Sequence, residues 1–163
     1  MVTAYGERII ARSACLAGEV QRSLERGLYE DAKKAALRYE EIFGKGNFFL
    51  ELQDHGIPAQ KLVNQGLMRL SKELSIELVA TNDSHYIYAD DAQAHDILLC
   101  IQTGKKVTDE NRMRYEGGQY YLKSEEEMRS LFPYAPQAIE NKAKIAARRN
   151  WDLEVGITSP PPI

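Results

Sequence analysis

Residues 47–81, NFFLELQDHGIPAQKLVNQGLMRLSKELSIELVAT, decide the fold. Asn47–Leu52 is a short apolar run and reads as a strand. Gly56-Ile57-Pro58 breaks it with a turn, and Pro58 suits the first position of a helix running to Leu74, because its missing N–H has no intrahelical partner there. Leu62, Val63, Leu67, Leu70 and Leu74 recur along that helix at the spacing that gathers apolar side chains on one face. Glu77–Thr81 then returns to an apolar, strand-like run. Strand, helix and strand together make a βαβ unit, which implies parallel pairing and, by default, a right-handed crossover.

The same alternation extends to both sides. Arg8-Ile9-Ile10-Ala11 reads as a short strand and Ser13–Gly18 as a small-residue loop. Leu28, Ala32, Ala35, Ala36, Tyr39, Ile42 and Phe43 then give a helix from about Tyr29 to Phe43, stopped by Gly44. Past the third strand, Asp90 is placed to cap a helix to about Thr103, ended by Gly104. Three strands separated by helices predict an α/β fold with a largely parallel sheet. In such folds the loops after the strand C-termini carry the chemistry. Cys15, the Glu51–His55 segment and the Asp83-Ser84-His85 loop each follow one of the three strands.

Beyond Gly104 the character changes. Lys105–Gly118 is polar and carries Lys105, Lys106, Arg112 and Arg114 among acids; it reads as solvated surface, with phosphate contact as the alternative. Tyr120-Tyr121-Leu122 is strand-like, and Ser124-Glu125-Glu126-Glu127 is a capping box opening a helix that contains Met128 and Leu131. Pro136 begins a further helix carrying Ala138, Ile139, Ala143, Ile145 and Ala146. Residues 156–163 read as a disordered or truncated tail because Thr158–Pro162 is polyproline-like.

The chain has 163 residues, 44% hydrophobic and 28% charged, which suits one globular core. A net charge of −3 argues against a surface that binds nucleic acid throughout by electrostatics, and it identifies no partner. Cys15 and Cys100 are distant and outside any CxxC spacing, so no disulfide framework or cysteine knuckle is expected and a reducing, cytoplasmic setting fits. No long apolar segment or signal-like N-terminus is present, which argues against membrane spanning and secretion.

Asp83 and His85 carry the clearest chemistry. If the backbone is still extended after Leu78-Val79-Ala80, a period of two points both side chains to the same side. Oxygen and imidazole nitrogen together suit zinc, manganese or iron. The bland reading is a capping aspartate beside a partly exposed histidine. Cys15, a lone cysteine among small residues, reads as a buried apolar residue. Glu51 can enter the mouth of the strands or serve as a hydrogen-bonding partner. His55 lies in Asp54-His55-Gly56, a turn in which the aspartate bonds the backbone. His95 reads as a packed helical histidine and Cys100 as core.

Four longer motifs occur in order: Ser13-Ala14-Cys15-Leu16-Ala17-Gly18-Glu19-Val20, Phe49–Pro58, Val79-Ala80-Thr81-Asn82-Asp83-Ser84-His85-Tyr86 and Ala94–Gly104. With Tyr120–Met128 and Ala138–Asn141, they resemble the bacterial DNA polymerase III alpha-subunit family in its N-terminal polymerase-and-histidinol-phosphatase (PHP) domain, over roughly Arg8 to Leu153. The resemblance implies a partial distorted β/α barrel: residues 1–104 as the C-terminal half of a PHP domain, and 105–155 as a two-helix connection toward the polymerase palm. It also implies that Asp83 and His85 are ligands in a Zn²⁺ or Mn²⁺ cluster, that Cys15 falls at another ligand position, and that the remaining ligands lie outside this chain. The implied parent is a DNA-directed DNA polymerase acting on DNA and deoxynucleotides with other replicative holoenzyme subunits, its Mg²⁺-binding palm outside this chain. A complete PHP cluster would support phosphoesterase or 3′–5′ exonuclease chemistry, and this chain alone would cleave nothing at a useful rate. The alternatives are a free-standing PHP phosphoesterase related to histidinol phosphatase and a catalytically inert scaffold that stabilises the polymerase.

Overall fold

A computed structural model describes residues 9–148. Three strands and six helices follow one another among them. They are β1 (Ala11–Arg12), α1 (Glu19–Glu25), α2 (Tyr29–Phe43), β2 (Phe48–Leu52), α3 (Pro58–Leu74), β3 (Leu78–Ala80), α4 (Ala92–Thr103), α5 (Glu125–Leu131) and α6 (Pro136–Ala147). The strands form one parallel sheet in the order β1-β2-β3, with Ala11 opposite Phe48 and Leu50, Glu51 and Leu52 opposite Leu78, Val79 and Ala80. This is the α/β arrangement expected from the βαβ reading. Arg8 and the segment from 149 onward, including the expected tail at 156–163, lie outside the described residues.

β2 is the centre of the fold because all five of its residues are buried. Phe48, Leu50 and Leu52 join the main core, while the alternate residues Phe49 and Glu51 take the other face, as the strand period of two requires. Full burial of a side chain such as Leu50 stabilises by about 1.5–3 kcal/mol relative to exposure. Val63, Leu67 and Leu70 of α3 and Ala32, Ala35 and Ala36 of α2 pack into that core. Met128, Phe132, Ala138 and Ile139 bring the C-terminal helices into the same cluster. α6 is further tied to the sheet by Asn141, whose Nδ2 donates to the Leu78 carbonyl at 2.8 Å.

Four local expectations are corrected. The short helix α1 stands where no element was expected, since Val20 and Leu24 alone supply its apolar side and leave little periodic signal. It approaches α3 at Gly66, where an added Cβ would lie 2.8 Å from a Leu24 methyl. Tyr120–Leu122 is not a strand: Tyr121 makes one isolated parallel bridge to Tyr86. β3 ends at Ala80, and Asp83 adopts a left-handed conformation with φ 46°, so strand alternation does not set the directions of Asp83 and His85.

Asp90 does not cap α4: it lies in a 3₁₀ turn (Ala89–Asp91), and the helix starts after Asp91, whose carboxylate accepts from the Tyr88 N–H instead. The boundaries of α3 and α5 and the end of α4 follow the local signals. Pro58 starts α3, Gly104 closes α4 at φ 64°, and Ser124 caps α5. In that capping box Ser124 Oγ accepts from the Glu127 N–H while the Glu127 carboxylate accepts from the Ser124 N–H.

Candidate metal centre

The loop leaving β3 is held by backbone groups on two sides. The Thr81 N–H donates to the Leu52 carbonyl at 3.0 Å, which keeps the loop in the line of the sheet for one more residue. Asn82 is buried, and its Nδ2 donates to the Gln119 and Tyr121 carbonyls at 2.9 and 2.7 Å. The His85 N–H donates to the Tyr120 carbonyl at 2.8 Å. These bonds dock residues 82–85 onto the 119–121 segment, far away in sequence.

Within that frame Asp83 and His85 meet. Asp83 Oδ2 lies 3.5 Å from His85 Nε2, and both side chains keep access to solvent. They were expected to converge by strand period and instead converge through the left-handed turn at Asp83. Asp is one of the few residues whose short polar side chain tolerates that conformation.

Aromatic rings wall one side of the pair. His85 is tilted against Tyr115 at 4.4 Å between centroids and against His95 at 5.5 Å, and His95 contacts Tyr86 and Tyr115 in turn. His95 is therefore a packed histidine, as its helical position suggested. Burial and the nearby negative charge of Asp83 both raise the Tyr120 pKa, so the phenol stays protonated at neutral pH.

The residues after β1 and β2 form a different environment. Cys15 is exposed and lines a small cleft with Gln21, Glu51, Gln53 and Gln60. Glu51 is buried, and its Oε1 accepts from Arg12 Nη1 at 3.2 Å, from the Thr81 hydroxyl and from Gln53 Nε2 at 3.4 Å. Of the two roles open to Glu51, the geometry displays the hydrogen-bonding one. Among the described residues, no group of three or more His, Cys, Asp and Glu side chains is arranged to hold a metal ion. Asp83 and His85 are brought together, and Cys15 does not join them in such a group.

Sequence reasoning missed the role of His55. It is buried, its ring lies stacked on Tyr120 at 4.0 Å, and its Nε2 is 2.8 Å from the Asn82 carbonyl. Burial lowers its pKa despite that carbonyl, which pulls the other way. The turn around it matches expectation, since Asp54 Oδ1 accepts from the Gly56 N–H at 2.9 Å. Nothing in Asp54-His55-Gly56 could signal a partner 27 positions on.

The basic loop also has an internal partner. Arg112 reaches α4 through two bonds to Asp96, at 2.5 and 2.6 Å, and its guanidinium is buried there. The pair holds the Asp96 carboxyl below the usual carboxylate range. Arg112 thus secures the loop to the helix, the structural outcome for a residue that also fitted phosphate contact.

Known proteins place these features in context. The PHP domain family model matches residues 1–55. The DNA polymerase III subunit alpha of Saccharopolyspora erythraea is 48% identical over 149 residues, which is 91% of this chain and 12% of that protein. The corresponding subunit of Borreliella burgdorferi is 45% identical over 98% of this chain and 14% of its own length. That of Campylobacter jejuni is 43% identical over 96% of this chain and 14% of its own. The chain spans about an eighth of the length of these curated relatives.

Proposed function

The chain belongs, as a segment, to the bacterial DNA polymerase III alpha-subunit family, and from that premise we propose that it forms part of the PHP domain of a replicative DNA polymerase, where Asp83 and His85 bind metal. Residues 1–104 are assigned to the C-terminal half of the domain, within a distorted β/α barrel, and 105–155 to the connection toward the palm. The whole protein then carries out DNA-templated synthesis on deoxynucleotides with other holoenzyme subunits, using Mg²⁺ at a palm outside this chain. No helix among the described residues is long and apolar enough to cross a membrane, which suits a partner set of nucleic acid and protein.

The observation that carries the metal assignment is the 3.5 Å approach of Asp83 Oδ2 to His85 Nε2 at the end of a parallel strand. Two ligands at zinc-like distances and a tetrahedral angle stand roughly 3.3 Å apart, so the donor pair fits one ion with little movement. Carboxylate oxygen and neutral imidazole nitrogen suit Zn²⁺ or Mn²⁺. Cys15, in the loop after β1, is a further proposed ligand of the cluster, contributed from its own cleft and not to the ion held by Asp83 and His85. When bound, such ions lower the pKa of a coordinated water and polarise a phosphodiester, the chemistry of a phosphoesterase or proofreading exonuclease. Asp83 supplies the compensating negative charge. His85 would ligate through Nε2 as the neutral imidazole.

The test is the metal content of the intact alpha subunit carrying the double substitution Asp83→Ala, His85→Ala. Loss of Zn²⁺ or Mn²⁺ relative to the unsubstituted protein is expected. An unchanged metal content overturns the assignment.

A further inference from the structure

We infer that His55 and Asn82 are positioning residues for the Asp83–His85 pair, an inference that rests on the metal reading above. The atoms around His55 fix its proton without ambiguity. The His55 backbone N–H donates to Gln60 Oε1 at 2.8 Å, and a backbone N–H can only donate, so that atom of Gln60 must be its oxygen. Gln60 Nε2 therefore points at His55 Nδ1, also at 2.8 Å, and donates to it. The remaining ring proton sits on Nε2 and is donated to the Asn82 carbonyl at 2.8 Å.

That carbonyl belongs to the peptide group that enters Asp83. Asn82 reinforces it from the same residue, since its side chain donates to the Gln119 and Tyr121 carbonyls. On the far side of Asp83, the His85 N–H donates to the Tyr120 carbonyl, and the Tyr120 ring stacks on His55. The loop is thus anchored before and after its left-handed residue, and both anchors meet at His55 and Tyr120. A chain at φ 46° gains no regular ladder of its own, so outside bonds must hold it. Groups that orient metal ligands from behind typically change metal affinity 10–100-fold when removed.

The experiment uses the intact alpha subunit with H55F, which keeps an aromatic ring over Tyr120 and loses the Nε2 donor, and H55Q, whose amide nitrogen can replace that donor. Zn²⁺ affinity and the absorption spectrum of the Co²⁺-substituted protein are measured beside thermal melting. A loss of about tenfold in affinity and an altered Co²⁺ spectrum are expected for H55F, with H55Q within about threefold of the unsubstituted protein. Unchanged affinity and spectrum in H55F overturn the inference, as does an equal loss in folded H55Q. Should H55F fail to fold, Q60M keeps the ring but removes the amide that sets its tautomer; about threefold weaker binding is expected, and unchanged binding by folded Q60M overturns the inference. The Asp83→Ala, His85→Ala protein is measured in parallel. Metal loss there without loss in H55F defeats the positioning role alone, whereas no loss there removes the metal reading and this inference together.

Discussion

The loops that follow β2 and β3 each present a histidine, and the two have opposite fates. His55 is buried, with both ring nitrogens engaged and its backbone N–H bonded to the same glutamine. His85 stays open to solvent, with Nε2 turned toward a carboxylate 3.5 Å away. One imidazole has spent its hydrogen-bonding capacity on structure, and the other keeps a nitrogen available for a ligand. The residue type is the same in both loops; the partners brought by distant segments decide the role.

The largest expected effect is on stability. His55→Ala removes the ring that satisfies the Gln60 amide and the Asn82 carbonyl and opens a void under Tyr120, so a loss of about 2–4 kcal/mol is expected. His85→Ala removes a partly exposed side chain that touches Tyr115 and His95 but has no buried hydrogen-bond partner, and should cost about 1 kcal/mol or less. Urea denaturation of the two variants measures the contrast directly. Equal losses would erase the distinction between a structural histidine and one proposed to bind metal.

That contrast also marks how far the sequence could be read. The β2-α3-β3 unit was legible because a continuous apolar run, a proline start and a helical stripe agree on one local answer. α1 was not, because two apolar positions in a short helix barely exceed chance patterning. Asp83 and His85 were legible as a pair of ligand types, but the expected cause of their convergence was a strand continuing past Ala80, where the chain in fact turns left-handed. His55 was illegible as an anchor because its partners, Asn82 and Tyr120, are brought to it only by the parallel sheet and the docked 119–121 segment. Local spacing encodes elements and donor types; long-range hydrogen bonds choose which donor is left free.

A smaller effect concerns the pH dependence that His55 brings to stability. The folded pKa of His55 lies below the unfolded value of about 6.5, so the folded state resists protonation there. Stability from this group is fully present above about pH 6.5. As pH falls from that value toward the folded pKa, the unfolded state takes up the proton first and stability declines, by at most about 1.4 kcal/mol per pH unit for one proton. Denaturation midpoints between pH 7.5 and 5.5 should therefore fall less steeply in H55Q than in the unsubstituted chain. An identical slope in both would show that His55 does not titrate on unfolding in this window.

The smallest effect concerns the backbone that makes the β3 loop different. Asp83 sits at φ 46°, a conformation that costs a residue with a Cβ and costs glycine almost nothing. The corresponding turn after β2 already uses Gly56 at φ 83° and carries its polar side chain, Asp54, two residues earlier. Asp83→Gly should therefore leave the metal-free protein slightly more stable, by about 0.5 kcal/mol, after the added chain entropy of glycine offsets part of the relief. The same substitution should weaken Zn²⁺ binding at least as much as Asp83→Ala, because the carboxylate is gone. A gain in stability joined to a loss of metal would place the cost of the left-handed residue on ligand presentation. A loss of stability would mean that the Asp83 side chain holds the loop together as His55 does, and the two strand-end loops would then differ less than their histidines suggest.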